Sequence, residues 1–89
     1  MNAVLTVVGH DKVGIIARVS TLLCQYNINI LDLSQTIMQG NFTMVMLVDI
    51  EGATASFADI SKALTELGKE MKLTIRIQRE EIFDAMHTI

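Results

Sequence analysis

The sequence predicts an α+β domain in the order β-α-β-β-α-β, with a four-stranded antiparallel sheet, two helices on one face and a short C-terminal helix. Three observations predict it. Apolar residues recur at three- and four-residue steps in two separate stretches, near residues 15–26 and 57–71, which is the period of an amphipathic helix. Each stretch is flanked by β-like runs, so the chain divides into two similar β-α-β halves. The halves meet at Gln39-Gly40-Asn41, a tight-turn signal that marks a hairpin between two strands.

Each element follows from its residues. Residues 3–8, rich in Val and Leu and ending at Gly9, form the first strand. Ile15, Ile16, Val19, Leu22, Leu23 and Tyr26 form the apolar face of the first helix. Asp11 is its expected N-cap and Asn27 the left-handed residue after its end. Residues 28–38 form the second strand, whose apolar register slips from Ile28/Ile30 to Leu31/Leu33, as a bulge requires. Residues 42–50 form the third strand, and Glu51-Gly52-Ala53 a loop. Ser56 and Asp59 resemble a capping box. Phe57, Ile60, Leu64, Leu67 and Met71 line the second helix, with Gly68 weakening its last turn. In residues 72–79, Leu73, Ile75 and Ile77 alternate with polar residues, the pattern of a half-buried antiparallel strand. In the tail, Ile82, Phe83 and Met86 share one side of a short helix. Right-handed crossovers interleave the two units and give the strand order 2-3-1-4, the ferredoxin-like arrangement. Residues 1–80 are thus one domain, and residues 81–89 a helical tail that packs on that domain or on a partner.

The composition narrows the function. The 89 residues carry 7 Lys and Arg against 10 Asp and Glu, a net charge of −3, which argues against direct contact with nucleic acid. A chain that is 51% apolar and 19% charged is not disordered. Its single Cys24 excludes a disulfide framework. No apolar run approaches the ~20 residues that span a bilayer, and no secretion signal is present, so a cytoplasmic protein is expected. The apolar excess is expected on the sheet. One side of strand 3 carries Phe42, Met44, Met46, Val48 and Ile50, and the other carries Thr43, Val45, Leu47 and Asp49. Strand 1 places Ala3, Leu5 and Val7 on one side and Val4, Thr6 and Val8 on the other. Two helices cover one face only, so the second is expected to be an exposed patch. It calls for a homodimer, the alternative being the chain's own tail folded back over it.

No residue set supports catalysis. Cys24 on the first helix reads as a small, partly buried packing residue, and His87 as a solvated side chain. His10 and Asp11 lack a third and fourth metal ligand at recognisable spacing. There is no phosphate-binding Gly-Lys loop. Leu5, Val7, Met44 and Met46 occupy positions where an RNA-binding sheet needs aromatics. No enzyme, metal or cofactor is therefore expected. What remains is the loop Gly9-His10-Asp11-Lys12-Val13-Gly14 before the first helix. The N–H groups and dipole of a helix N-terminus favour an anion, and Gly14 lets a ligand approach. With Asp11 and Lys12 the loop suits a zwitterion such as a free amino acid. The alternative is a capped helix with a glycine that only packs.

The run Asp11-Lys12-Val13-Gly14-Ile15-Ile16-Ala17-Arg18-Val19, followed by Leu22-Leu23 and Tyr26-Asn27-Ile28-Asn29-Ile30, resembles the opening half of an ACT domain. The resemblance extends over nearly the whole chain, with the specific motif in residues 9–30. It is greatest to stand-alone ACT proteins and to the ACT domains of the glycine cleavage system transcriptional repressor. Ile30-Leu31-Asp32-Leu33-Ser34-Gln35 and Ile82-Phe83-Asp84-Ala85-Met86 fit that group. The resemblance implies a non-catalytic regulatory module that binds a small ligand, often an amino acid, at a dimer interface. The ligand-binding residues it implies are His10, Asp11, Lys12, Val13 and Gly14, completed by Asn29 from the second subunit. Val13 stands where the family usually has Pro, and Gly9 where one serine-binding arrangement has His, so serine specificity does not transfer. A protein–protein or dimerisation adaptor without a ligand, docking on a regulator or enzyme, is the competing expectation.

Overall fold

The elements of the computed structural model follow the expected order: β1 Asn2–Gly9, α1 Ile15–Gln25, β2 Asn29–Met38, β3 Asn41–Asp49, α2 Phe57–Met71 and β4 Thr74–Arg79. The structure describes residues 2–10 and 14–80. The tail expected at 81–89, with Ile82, Phe83 and Met86, lies outside the described residues, as do Asp11, Lys12 and Val13.

The sheet is antiparallel throughout in the order β2-β3-β1-β4. Its core follows the period-two rule for a half-covered sheet. Ala3, Leu5 and Val7 of β1, Phe42, Met44, Met46 and Val48 of β3, and Ile75 and Ile77 of β4 are buried. They pack against Ile15, Val19 and Leu23 of α1 and Ile60, Leu64 and Leu67 of α2.

Left-handed residues terminate the elements. Asn27 has φ 58°, as its place after α1 predicts. Gln39 (φ 53°) and Gly40 (φ 81°) form a two-residue turn that pairs Met38 with Asn41, the geometry that matches strand twist. Asn41 therefore belongs to β3 rather than to the turn. Lys72 has φ 59° and caps α2, with the Leu73 N–H donating to the Gly68 carbonyl at 2.7 Å. That cap delays β4 to Thr74, two residues later than the alternation suggests.

Four further expectations need correction. Asp11 is not the N-cap of α1: Gly14 is, with φ 76° and no side-chain cap. Gly14 thus precedes the first turn instead of lying in it. Gly68 does more than weaken α2, because a Cβ there would lie 2.8 Å from the Leu73 carbonyl oxygen. Cys24 is exposed rather than partly buried. Lastly, the apolar excess is not concentrated on the open sheet face. There Val4 is buried and Thr6 and Leu47 are half-buried, leaving Val8 and Val45 exposed. The most exposed large apolar side chains lie on the edge strand β2 instead: Ile37 at 56% and Leu31 at 47%.

Candidate functional site

The loop after β1 begins with His10, which is exposed, and ends at Gly14, where α1 starts. Gly14 takes a left-handed conformation that side chains disfavour, and among the described residues, its chain neighbours aside, nothing lies within 4 Å of where its Cβ would be. Backbone geometry alone therefore accounts for a glycine here. As the N-cap of α1, Gly14 has no side chain with which to cap it, and the first turn of the helix holds no acidic residue. The positive end of the helix dipole lies there, and the backbone N–H groups of the first turn have no acceptor within the helix. An anionic group is the chemistry that such an end attracts.

Asn29 lies elsewhere. It opens β2 and pairs with Asp49, which pairs in turn with Asn2; Gly9 pairs with Phe42 at the other end of the sheet. Seven residue steps of β1 separate the two ends, roughly 24 Å at the strand rise. Within one chain, then, the β1–α1 loop and Asn29 do not converge.

A cavity of about 580 Å³ surrounds Asn29 instead, lined by Ser20, Cys24, Asn27, Asn29, Asp49 and Gly52 with Ile28 and Ile30. Three hydrogen bonds hold its polar wall together. Asn27 donates through Nδ2 to the Gly52 carbonyl at 2.9 Å, and the Asp49 Oδ1 accepts from the Glu51 N–H at 3.0 Å. The Thr54 N–H donates to the Tyr26 carbonyl at 3.0 Å, which ties the loop after β3 to the end of α1. The C-terminal end of a helix and a carboxylate together favour a cation, the opposite polarity to the β1–α1 end. Asp49, Asn27, Ser20 and Gly52 carry no motif. The signal that finds them is the hairpin register: counted back from Gln39-Gly40, it brings Asn29 opposite the end of β3. The bulge between Ile30 and Asp32 makes the partner Asp49 instead of Ile50.

Among the described residues, no group of three His, Cys, Asp or Glu could hold a metal ion. No helix among them is long and apolar enough to cross a membrane.

Comparison with known proteins adds four findings. The ACT domain model matches residues 2–78. A UPF0237 protein of Listeria innocua is 55% identical over 89 residues, covering 100% of both chains. Among solved structures, an ACT domain protein from Streptococcus pneumoniae superposes with a TM-score of 0.83 at 36% identity, over 93% of each chain. A putative glycine cleavage system transcriptional repressor does so with a TM-score of 0.70 at 29% identity, over 86% of this chain and 44% of that one.

Proposed function

The chain belongs to the ACT domain family, and from that premise we propose that it is a non-catalytic regulatory module, sensing a small zwitterion such as an amino acid at a homodimer interface. The observation that supports this reading is the start of α1: a left-handed Gly14 as N-cap, which has no side chain of its own to occupy the first-turn N–H groups, and a first turn without an acidic residue. The ligand carboxylate meets the N–H groups there. His10, Asp11, Lys12 and Val13 complete the loop, with Asp11 facing the ligand ammonium.

Dimer topology supports adding Asn29. β2 is an edge strand, and two copies paired antiparallel along that edge run in opposite directions. The start of one β2 then falls beside the end of the other. That end, at Ile37, is in register with Phe42 and through it with Gly9. Asn29 of the partner subunit is thereby brought to the β1–α1 loop that it cannot reach in its own chain. Exposed Ile30, Leu31 and Ile37 supply apolar surface for the contact. The module acts in the cytoplasm, needs no cofactor, and signals to a regulator or enzyme without touching nucleic acid or membrane. A net charge of −3 agrees with that indirect route.

Calorimetric titration with the twenty amino acids tests the reading. Binding of at least one below about millimolar is expected, lost in Asp11→Ala with the fold intact; no binding by any removes its support. The exposed β2 edge also favours a second reading, a dimerisation adaptor without a ligand. It prevails if the protein is a dimer that captures a protein partner while every amino acid leaves it unchanged.

A further inference from the structure

We propose that the open face of the sheet is the docking site of the chain's own C-terminal segment, residues 81–89, held in cis over the groove between β1 and β4. This proposal does not depend on a ligand or on the β2 contact.

The open face is polar at both margins and apolar in the middle. Ser34 and Thr36 of β2 and Thr74 and Arg76 of β4 flank Val4, Val8 and Val45, as the register requires. A groove of about 220 Å³ runs along it, lined by Thr6, Val8, Thr74, Arg76 and Gln78. Neither helix reaches this side. Nevertheless its exposure is uneven: Val4 is 7% exposed and Val8 39%. The buried end is the end where the chain leaves the sheet, because Gln78 pairs with Val4 and Arg79 with Ala3.

Three properties of the segment fit that place. It starts two residues past β4, at the end of the sheet where Gln78 pairs with Val4. Its nine residues, wound as a helix, extend ~13 Å, which matches the roughly 14 Å from Val4 to Val8 along β1. Its sequence, Glu81-Ile82-Phe83-Asp84-Ala85-Met86-His87-Thr88-Ile89, sets Ile82, Phe83, Met86 and Ile89 at helical steps for an apolar groove. A helix that seats those apolar residues on the groove turns Glu81 and Asp84 outward, so their attraction to the exposed Arg76 lining the groove acts at a distance rather than by contact, whereas the β2 side of the face carries Asp32 and Asp49. Charge therefore directs the segment to the β1–β4 half. With the face closed this way, two copies are left the β2 edge as their apolar contact surface.

Methyl NMR on the full-length chain tests this. A phenyl ring seated on the groove displaces nearby methyl resonances, so Phe83→Ser is expected to shift those of Val4, Val8 and Val45 and to leave Ile30, Leu31 and Ile37 in place. Arg76→Glu, which keeps the ring, is expected to move the same three methyls in the same direction by a smaller amount. The melting temperature of Phe83→Ser should fall by roughly 5–10 °C. Open-face methyls that ignore both variants, or shifts confined to β2, overturn the proposal. So do intermolecular nuclear Overhauser contacts between tail and open face in a mixture of labelled and unlabelled chains, since they place the segment on another subunit.

Discussion

Two glycines are needed for different physical reasons, and single substitutions separate them. Gly68 is buried in the last turns of α2, where a Cβ would press on the Leu73 carbonyl oxygen and on Ile75 Cγ1 at 3.4 Å. Backbone cannot yield as a side-chain tip can, so Gly68→Ala must push α2 away from β4. A cost of about 2 kcal/mol is expected by urea unfolding, in the range of overpacked cores. At Gly14 space is ample and only φ is restrictive. Gly14→Ala is expected to cost about 1 kcal/mol, the left-handed penalty. Gly14→Asn should recover part of it, because Asn tolerates that region. If Gly14→Ala is neutral, the loop has re-formed around an ordinary φ, and the anion-binding geometry of α1 should go with it. Both glycines stand out in the sequence as breaks in helical patterns. Their reasons do not, because a φ angle and a long-range clash exist only once Leu73 and α1 are in place.

At the scale of the element, termini were more legible than interiors. Ser56 accepts from the Asp59 N–H at 3.2 Å, the local bond that a capping-box spacing predicts. Ser56→Ala is expected to cost about 1 kcal/mol, read as a lower urea midpoint with an unchanged slope. The ion pair that joins the two helices is a useful contrast. Arg18 Nη2 lies 2.8 Å from Glu70 Oε1, yet both side chains are about half exposed or more, at 49% and 64%. Solvent screens such a pair, so Arg18→Ala should cost well under ~1 kcal/mol; a larger loss would show that the Arg18 stem, not its charge, holds α1 to α2. The start of α1 departs from the sequence expectation because Asp11 satisfies a statistical preference for caps, while the left-handed Gly14 intervenes before the helix begins. Strand β2 shows the same limit. The apolar slip at Leu31 announces a bulge, but which residue then faces Asn29 follows from the register across the sheet.

The molecule as a whole has two ends of opposite polarity that one chain holds about 24 Å apart. The fold was readable because periodicity reports burial, and burial decides topology in a single-core domain. The site was readable only in fragments: its loop lies partly outside the described residues, and Asn29 has meaning only if a second chain is present. That separation makes a linked prediction. If the ligand bridges two subunits, binding and dimerisation share one free energy, and each must strengthen the other. Ile37→Lys places a charge on the β2 edge where Ile37 is most exposed, and it should turn a dimer into a monomer in sedimentation equilibrium while keeping the fold. The same variant should lose amino-acid binding although it touches no ligand group. Asn29→Ala should instead keep the dimer and weaken binding about tenfold, the effect of removing one hydrogen bond worth roughly 1.4 kcal/mol. Ligand at a hundred times its dissociation constant should add about 2.7 kcal/mol to the stability of the wild-type assembly per site. A monomeric Ile37→Lys that binds the ligand as tightly as the wild-type chain would put the whole site within one subunit. The cavity between Asn29 and Asp49, rather than the start of α1, would then be where to look for it.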